Sequence, residues 1–311
     1  MTSLEAVGTY LPEQRVPVRK CLEAYGFPEN HIRMHERFFG FSQVRLDPGR
    51  DLVDLLVSAA GGLAELRGRE HQVRYVLHAR TMPVVAPYPR NPLRAAVRRL
   101  GLAHAVSFSV TQHACASGLL AVHLAGQLLA GDGDPQARAL VLTGEKAFTG
   151  SARVDIGGGV MGEAAAAVLV RAGGERDRMI GYAASTHGRY SDGPWMSEPV
   201  TVEFREAYPR LLAEVIVTAV ERAGLTLADL DLILPHHVNR ISWLRTLRRL
   251  GLGRPGVLLL DSFPEVGHCF CADSFIGYQL ACRQGRLRPG ARYLMASVGL
   301  GATFAAMVFV H

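Results

Sequence analysis

The chain has 311 residues, 49% of them hydrophobic, and a formal net charge of +6 carried mainly by arginine. It is long enough for one large or two intimately packed domains around a substantial core, and it contains no low-complexity tract. No stretch reaches membrane-spanning length without charge, and the opening MTSLEAVGTYLPEQ lacks a basic segment followed by an apolar run. The five cysteines, odd in number and unevenly spread, argue for free thiols, so a cytoplasmic protein away from membranes is expected. The modest basic excess suits an acidic protein partner or a phosphate-bearing ligand as well as nucleic acid, and no nucleic-acid motif accompanies it.

In chain order, residues 4–7 read as a short strand closed by the turn 8–12. Short helices are expected at 19–26 and 30–39, then a polar loop at 43–50. Residues 52–66 form an amphipathic pattern with Leu52, Leu55, Leu56, Ala59, Ala60 and Leu63 on one face. A strand at 75–79, a proline-rich segment at 82–92 and a helix carrying Arg94, Arg98 and Arg99 follow. Further strands are expected at 139–143 and 163–170, and the glycine run Gly157–Gly159 lies between them. It lacks the lysine and the strand-loop-helix context of a phosphate loop. The second half repeats this grammar: a strand at 180–184, a long helix at 204–223, a strand at 232–235, helices at 241–250 and 271–283, and closing strands at 293–298 and 304–310. Strands alternating with helices predict an α/β sheet with helices on its faces, and the similar order of elements suggests a duplication.

Residues 105–130 organise the rest. The first part alternates like a buried strand, and the second repeats apolar residues at helical spacing, with Cys115 at the junction. Ala114, Ala116, Ser117 and Gly118 leave the space that a tight turn and a substrate need. A helix N-terminus favours a thiolate, so Cys115 reads as a nucleophile held at a strand-to-helix elbow; a buried structural cysteine is the alternative.

The segments GTYLPE, HACASGL, VMGEAAAAVLV, LPHHVNRI, EVGHCFCADS and SVGLGATFAAMVF fall in the order and spacing of ketosynthase III, so the chain resembles that family of the thiolase superfamily over nearly its whole length. The resemblance implies a thiolase fold of five layers, α-β-α-β-α, built of two similar halves. These would be 1–172, carrying the nucleophile, and 173–311, carrying the histidines. It also implies a homodimer and acyl transfer through a thioester on Cys115. No permanently bound cofactor is implied; the phosphopantetheine thioester of acyl carrier protein or coenzyme A is a substrate.

The family's catalytic histidine falls on His236, with Asn239 three residues on. The family's next catalytic asparagine, after a glycine, is replaced here by His268 after Gly267. Two readings of His268 are open. With His236 it can stabilise the enolate of a malonyl thioester, as in decarboxylative Claisen condensation. With Cys115 and Asp273, five residues further, it resembles the nucleophile-histidine-aspartate set of acyltransferring, starter-unit proteins of polyketide and related natural-product pathways. Asp273 alternatively only caps a helix. The resemblance assigns the oxyanion donors to the amides of Cys115 and Gly299.

His113 is expected to be a packed core histidine, and His237 is ambiguous. The cluster of His236, His268, Cys269 and Cys271 lacks the paired spacing of structural zinc, so no metal is expected. Arg240, Arg245, Arg248 and Arg249 lie on or beside one helix, where the resemblance implies docking of an acidic carrier protein. The tryptophan that many family members stack on the adenine of coenzyme A has no counterpart in ENHIRMHERF, which favours the carrier-protein donor. The expected function is acyl transfer from such a thioester, through Cys115, to a hydroxyl, amine or thiol of a small-molecule acceptor. Its rivals are a Claisen synthase and, from another class, an inactive partner subunit.

Overall fold

A computed structural model describes residues 1–147, 152–154, 158–254 and 256–311; Gly157 of the glycine run lies outside them. The first half of the chain comprises β1 (Thr2–Tyr10), β2 (Arg15–Pro17), α1 (Val18–Ala24), α2 (Glu29–Met34), β3 (Gln43–Arg45), α3 (Leu52–Gly61), β4 (Val73–Ala79), α4 (Pro92–Arg99), β5 (Val106–Val110), α5 (Ser117–Asp132), β6 (Arg138–Gly144) and β7 (Ala165–Ala172). The second comprises β8 (Arg178–Thr186), α6 (Glu198–Arg222), β9 (Leu232–Pro235), α7 (Arg240–Arg249), α8 (Phe263–Val266), α9 (Asp273–Arg283), β10 (Arg292–Gly299) and β11 (Thr303–Val310).

Nine strands form one ladder in the order β5-β4-β6-β7-β1-β8-β11-β10-β9. Its two parts meet at a single pairing, Ser3 with Arg178. On each side of that junction the pattern repeats outward: two antiparallel pairings, then a parallel one (β1-β7-β6-β4 and β8-β11-β10-β9). Helices α3 and α4 cover one outer face and α6 and α7 the other, while α5 and α9 each touch strands of both parts and lie between them. This is the thiolase fold, in five layers. Strands covered on both faces have no solvent side to mark with polar residues, which explains why β7 reads AAAVLV without alternation. The same enclosure accounts for α5. With the turn before it, Ala114–Asp132 is long and apolar enough to cross a membrane, but its surroundings are the two parts of the nine-stranded ladder.

Local signals set the ends of several helices. Asp51 and Asp54 form a reciprocal capping box at α3, and Asn91 caps α4 with Pro92 in its first turn. The expected polar loop at 43–50 instead begins with β3, paired to β2 in a separate small ladder. Val44, fully buried beneath α8, drives that pairing, and flanking glutamine and arginine disguise it in the sequence. The expected helix at 52–66 stops at Gly61 and resumes as a single 3-10 turn, Ala64–Leu66.

Gly118 sits where α5 passes the entry to α9: a β-carbon there would stand 2.7 Å from the Cys271 carbonyl oxygen and 3.2 Å from the Phe275 ring. Alanine is the better helix former, yet the fixed carbonyl cannot retreat without shifting the turn that carries Asp273. Gly118→Ala is therefore expected to lower stability by about 1–3 kcal/mol in chemical denaturation. An unchanged or raised midpoint would mean that α5 and α9 separate freely.

Candidate active site

β5 ends at Val110, and the chain enters α5 through the 3-10 turn Ala114–Ala116, in which Ala114 adopts φ +45°. That left-handed residue is the strained point of the elbow and aims Cys115 into the interior. Met161, Phe270 and Ala147, with Met82 and Ala152 beside them, form an apolar lining around the Cys115 sulfur. The second half of the chain builds a matching elbow: Phe270 at φ +53°, then Cys271, then α9.

Gly267 and this second elbow bring His268 and Asp273 to Cys115. Gly267 adopts φ +83°, and a β-carbon there would meet the Val160 carbonyl and the Val44 side chain, each at 2.8 Å. His268 Nε2 lies 3.4 Å from Cys115 Sγ, and its Nδ1–H donates to Asp273 Oδ2 at 2.5 Å. The carboxylate also accepts the Cys269 amide at 2.7 Å and the His237 amide at 2.6 Å. All three side chains are buried. Burial disfavours an imidazolium at His268. The charge of Asp273, the Cys115 sulfur and their hydrogen bonds outweigh it and hold His268 well above the ordinary histidine range. Burial likewise opposes ionisation of Asp273, but His237, His268 and the amide donors bring its carboxyl down to about 2.

His236 is placed differently. Its Nδ1 faces the Ala296 carbonyl at 3.4 Å, which can only accept, so that nitrogen carries the proton. Nε2 is then the acceptor, and Tyr208 donates its hydroxyl to it at 2.6 Å. Burial and the neighbouring charge of His268 push His236 down to about 3, so the ring is neutral. The two imidazoles stand 6.3 Å apart. His237 also lies beside Asp273, its Nδ1 3.4 Å from Oδ1; its Nδ1–H donates to the Gly267 carbonyl at 3.1 Å and its Nε2 accepts from Ser262, which fixes the turn before His268. His113 is half-buried, and its carbonyl packs on Gly299 so closely that a β-carbon at Gly299 would lie 1.9 Å from that oxygen. Ser297 Oγ donates to the Cys115 carbonyl at 3.0 Å, so the end of β10 lies along the elbow.

Three neighbours carry no readable signal in the sequence. Thr81 donates its hydroxyl to Cys115 Sγ at 3.2 Å. The Thr81 and Met82 amides donate to Glu145 at 2.5 and 2.7 Å, and burial raises that carboxyl to about 7 against these hydrogen bonds. Tyr208 is a single polar tip on the buried face of α6, where a tyrosine ordinarily reads as core.

Asn239 caps α7, its Oδ1 accepting the Ser242 amide at 2.7 Å. With Tyr208, Phe39, His31 and Arg245 it lines a cavity of about 540 Å³ on the His236 side of the site. Arg240, Arg245, Arg248 and Arg249 are exposed, and the last three flank a groove with Glu206 and Pro209. Among the described residues, no three histidine, cysteine or acidic side chains gather as metal ligands. Cys269 and Cys271 point instead to the Val266 and Ala114 carbonyls.

Fold and site together define a thiolase-fold protein with a buried cysteine at the junction of its halves. The C-terminal part, residues 220–311, matches the family described as 3-oxoacyl-[acyl-carrier-protein] synthase III, C terminal. The chain is similar to the β-ketoacyl-[acyl-carrier-protein] synthase III of Dinoroseobacter shibae, at 26% identity over 97% of this chain and 96% of that one. Among solved structures it is similar to ChlB3, described as an acyltransferase, with a TM-score of 0.84 and 20% identity over 99% of this chain and 97% of that one. It is similar also to the synthase III of Thermus thermophilus, with a TM-score of 0.80 and 21% identity over 99% of each chain. The chain thus has the thiolase fold and is similar, over nearly its whole length, to ketosynthase III proteins.

Replacing the carboxylate tests the electrostatics without removing the ring. In the wild type the His268 imidazolium is expected to persist above the pH, about 6.5, at which a free histidine deprotonates. In Asp273→Asn burial acts without its counter-charge, so the proton is expected to leave at lower pH, read by NMR of the imidazole nitrogens. Equal midpoints in the two proteins would show that Asp273 does not support the charge.

Proposed function

We propose that this protein is an acyltransferase of ketosynthase III type, and that the hydrogen-bonded series Cys115, His268, Asp273 is its catalytic apparatus. The observation that carries the reading is the position of His268, with one nitrogen at the nucleophile and the other on a buried carboxylate. Cys115 Sγ attacks the thioester carbonyl beside the His268 imidazolium, which already holds the cysteine's proton on Nε2. The carbonyl oxygen becomes an oxyanion, for which the amides of Cys115 and Gly299 are the proposed donors. Collapse breaks the carbon–sulfur bond to the carrier, and His268 returns the proton to the departing thiolate. In the second half an acceptor hydroxyl, amine or thiol attacks acyl-Cys115 and gives its proton to His268. The cysteine leaves and regains a proton from the same nitrogen. Asp273 fixes the tautomer and supports the imidazolium throughout.

A decarboxylative condensation needs hydrogen-bond donors toward the malonyl thioester oxygen. The His236 nitrogen nearest Tyr208 has a lone pair already engaged and no proton to give, which weighs against that chemistry. His236 is better read as a fixed, neutral wall of the site, and Asn239 as a lining group. The inactive-subunit reading is disfavoured by the intact relay.

The donor we infer is a phosphopantetheine thioester, entering by the cavity beside Tyr208 and Asn239, with acyl carrier protein docking on the Arg240, Arg245, Arg248 and Arg249 face. A homodimer fits the open β5 edge of the ladder, where Val106 is 60% exposed, and the free thiols fit the cytoplasm. A pathway of the polyketide kind is the proposed setting.

Intact-protein mass spectrometry after exposure to malonyl thioesters, on carrier protein and on coenzyme A, tests this directly. A whole acyl group retained on Cys115, absent from Cys115→Ala and discharged by a hydroxyl, amine or thiol acceptor, is the expected result. Asp273→Asn should slow its formation by about 10³-fold or more, the scale of losing the carboxylate of such a triad. Loss of carbon dioxide with a β-keto thioester product would make the protein a condensing enzyme instead.

A further inference from the structure

On the face opposite α6 and α7, a cavity of about 790 Å³ opens between the start of α3, α4 and the segment 83–91. Five cations line it, Arg50, Arg90, Arg94, Arg98 and Lys146, against one acid, Asp51. Two of the cations are engaged elsewhere. Lys146 Nζ lies 3.2 Å from Glu163, and Arg50 lies 3.7 Å from Asp47 with its guanidinium over the Tyr10 ring. Asp51 is committed to capping α3, and the nearby Asp54 pairs with Arg99 at 2.7 Å. Arg90, Arg94 and Arg98 have no ion-pair partner among the described residues.

This charge arrangement is unfavourable as it stands. Arg94 and Arg98 are one helical turn apart on the same face of α4, where like charges repel, and Arg90 adds a third across the opening. A solvated basic helix would spread such charges outward. Here they border a concave space whose other walls include Leu52, Val53 and Val85. Guanidinium groups around a partly apolar recess suit oxyanions, which they bind two hydrogen bonds at a time, and the volume is that of a small-molecule site.

The recess also backs on the nucleophile's surroundings. Lys146 precedes Ala147, and Met82 leads into the segment 83–91; both Ala147 and Met82 belong to the apolar lining of Cys115. It is separate from the cavity that Tyr208 and Asn239 line.

We infer that this recess is a second ligand site, taking a small, multiply anionic molecule whose phosphate or carboxylate groups are held by Arg90, Arg94 and Arg98. It stands independently of the acyl-transfer reading, because binding is measured without turnover.

Calorimetry of the full chain at low salt, with inorganic pyrophosphate in one arm and citrate in the other, tests it. Saturable binding of at least one anion is expected, and the preferred arm identifies phosphate or carboxylate as the recognised group. The pair of changes Arg94→Gln and Arg98→Gln should weaken it by about tenfold or more. Arg94→Lys with Arg98→Lys, which keeps the charge but loses the fork, should fall between. Arg283→Gln with Arg288→Gln removes the same charge from exposed positions outside the recess and should leave affinity within about twofold, after allowance for long-range attraction. Failure of both anions to saturate, or equal weakening by both glutamine pairs, would overturn the proposal. So would binding of an acidic carrier protein alone to this face, lost in the Arg94 and Arg98 variant.

Discussion

A carboxylate buried at the start of a helix constrains everything around it. Asp273 is 1% exposed, and an isolated charge at that depth would give up its ionisation or unfold its surroundings. It stays charged because two backbone amides and the His268 imidazole donate to its two oxygens, with the His237 imidazole 3.4 Å from Oδ1 beside them. Each donor comes from a different piece of local geometry. The His237 amide requires the chain to turn at the end of β9. The Cys269 amide requires the tight segment after Gly267, and the imidazole requires the left-handed turns at Gly267 and Phe270. The positive φ angles of this region are thus the backbone cost of surrounding one anion.

The two elbows show how a repeated architecture acquires unlike halves. Each has a left-handed residue, a cysteine and a 3-10 turn opening a central helix. Cys115 meets an imidazole and a threonine hydroxyl, whereas Cys271 donates to the Ala114 carbonyl, and burial pushes its thiol well up. The cysteines are equivalent in the fold and opposite in chemistry. What separates them is that the second elbow carries Asp273 two residues on, while the first carries Ser117, whose hydroxyl only accepts the His113 amide.

Much of the fold was legible because its strands and helices differ in period and are punctuated by glycines and caps. The approximate places of α3, α5, α6, α9 and the closing hairpin follow from apolar spacing alone. β2 and β3 were not, since three-residue strands carry almost no period and their polar residues read as loop. For the site, Cys115, His268 and Asp273 were visible as residues in order; that one imidazole bridges the other two side chains is a tertiary fact. Thr81, Glu145 and Tyr208 were invisible, because each reaches the site from an element whose own pattern speaks only of packing. Alternation alone did not separate His236 from His237, since β9 ends there, and only the family resemblance pointed to His236.

The two inward histidines then divide a task that neither could perform alone. Imidazoles 6.3 Å apart in a buried site resist being charged together, so whichever has the better anion takes the proton. Asp273 gives it to His268. That charge, together with burial, holds His236 neutral, and a neutral ring with its Nδ1–H on the Ala296 carbonyl presents only a lone pair, which Tyr208 fills. An asparagine at position 268 would lack the ring that bridges sulfur and carboxylate, and the electrostatic pressure on His236 would lessen with it. One residue therefore biases both imidazoles. It places a charged imidazole at the Cys115 sulfur and, in the same stroke, leaves the His236 nitrogen that faces Tyr208 with only a lone pair.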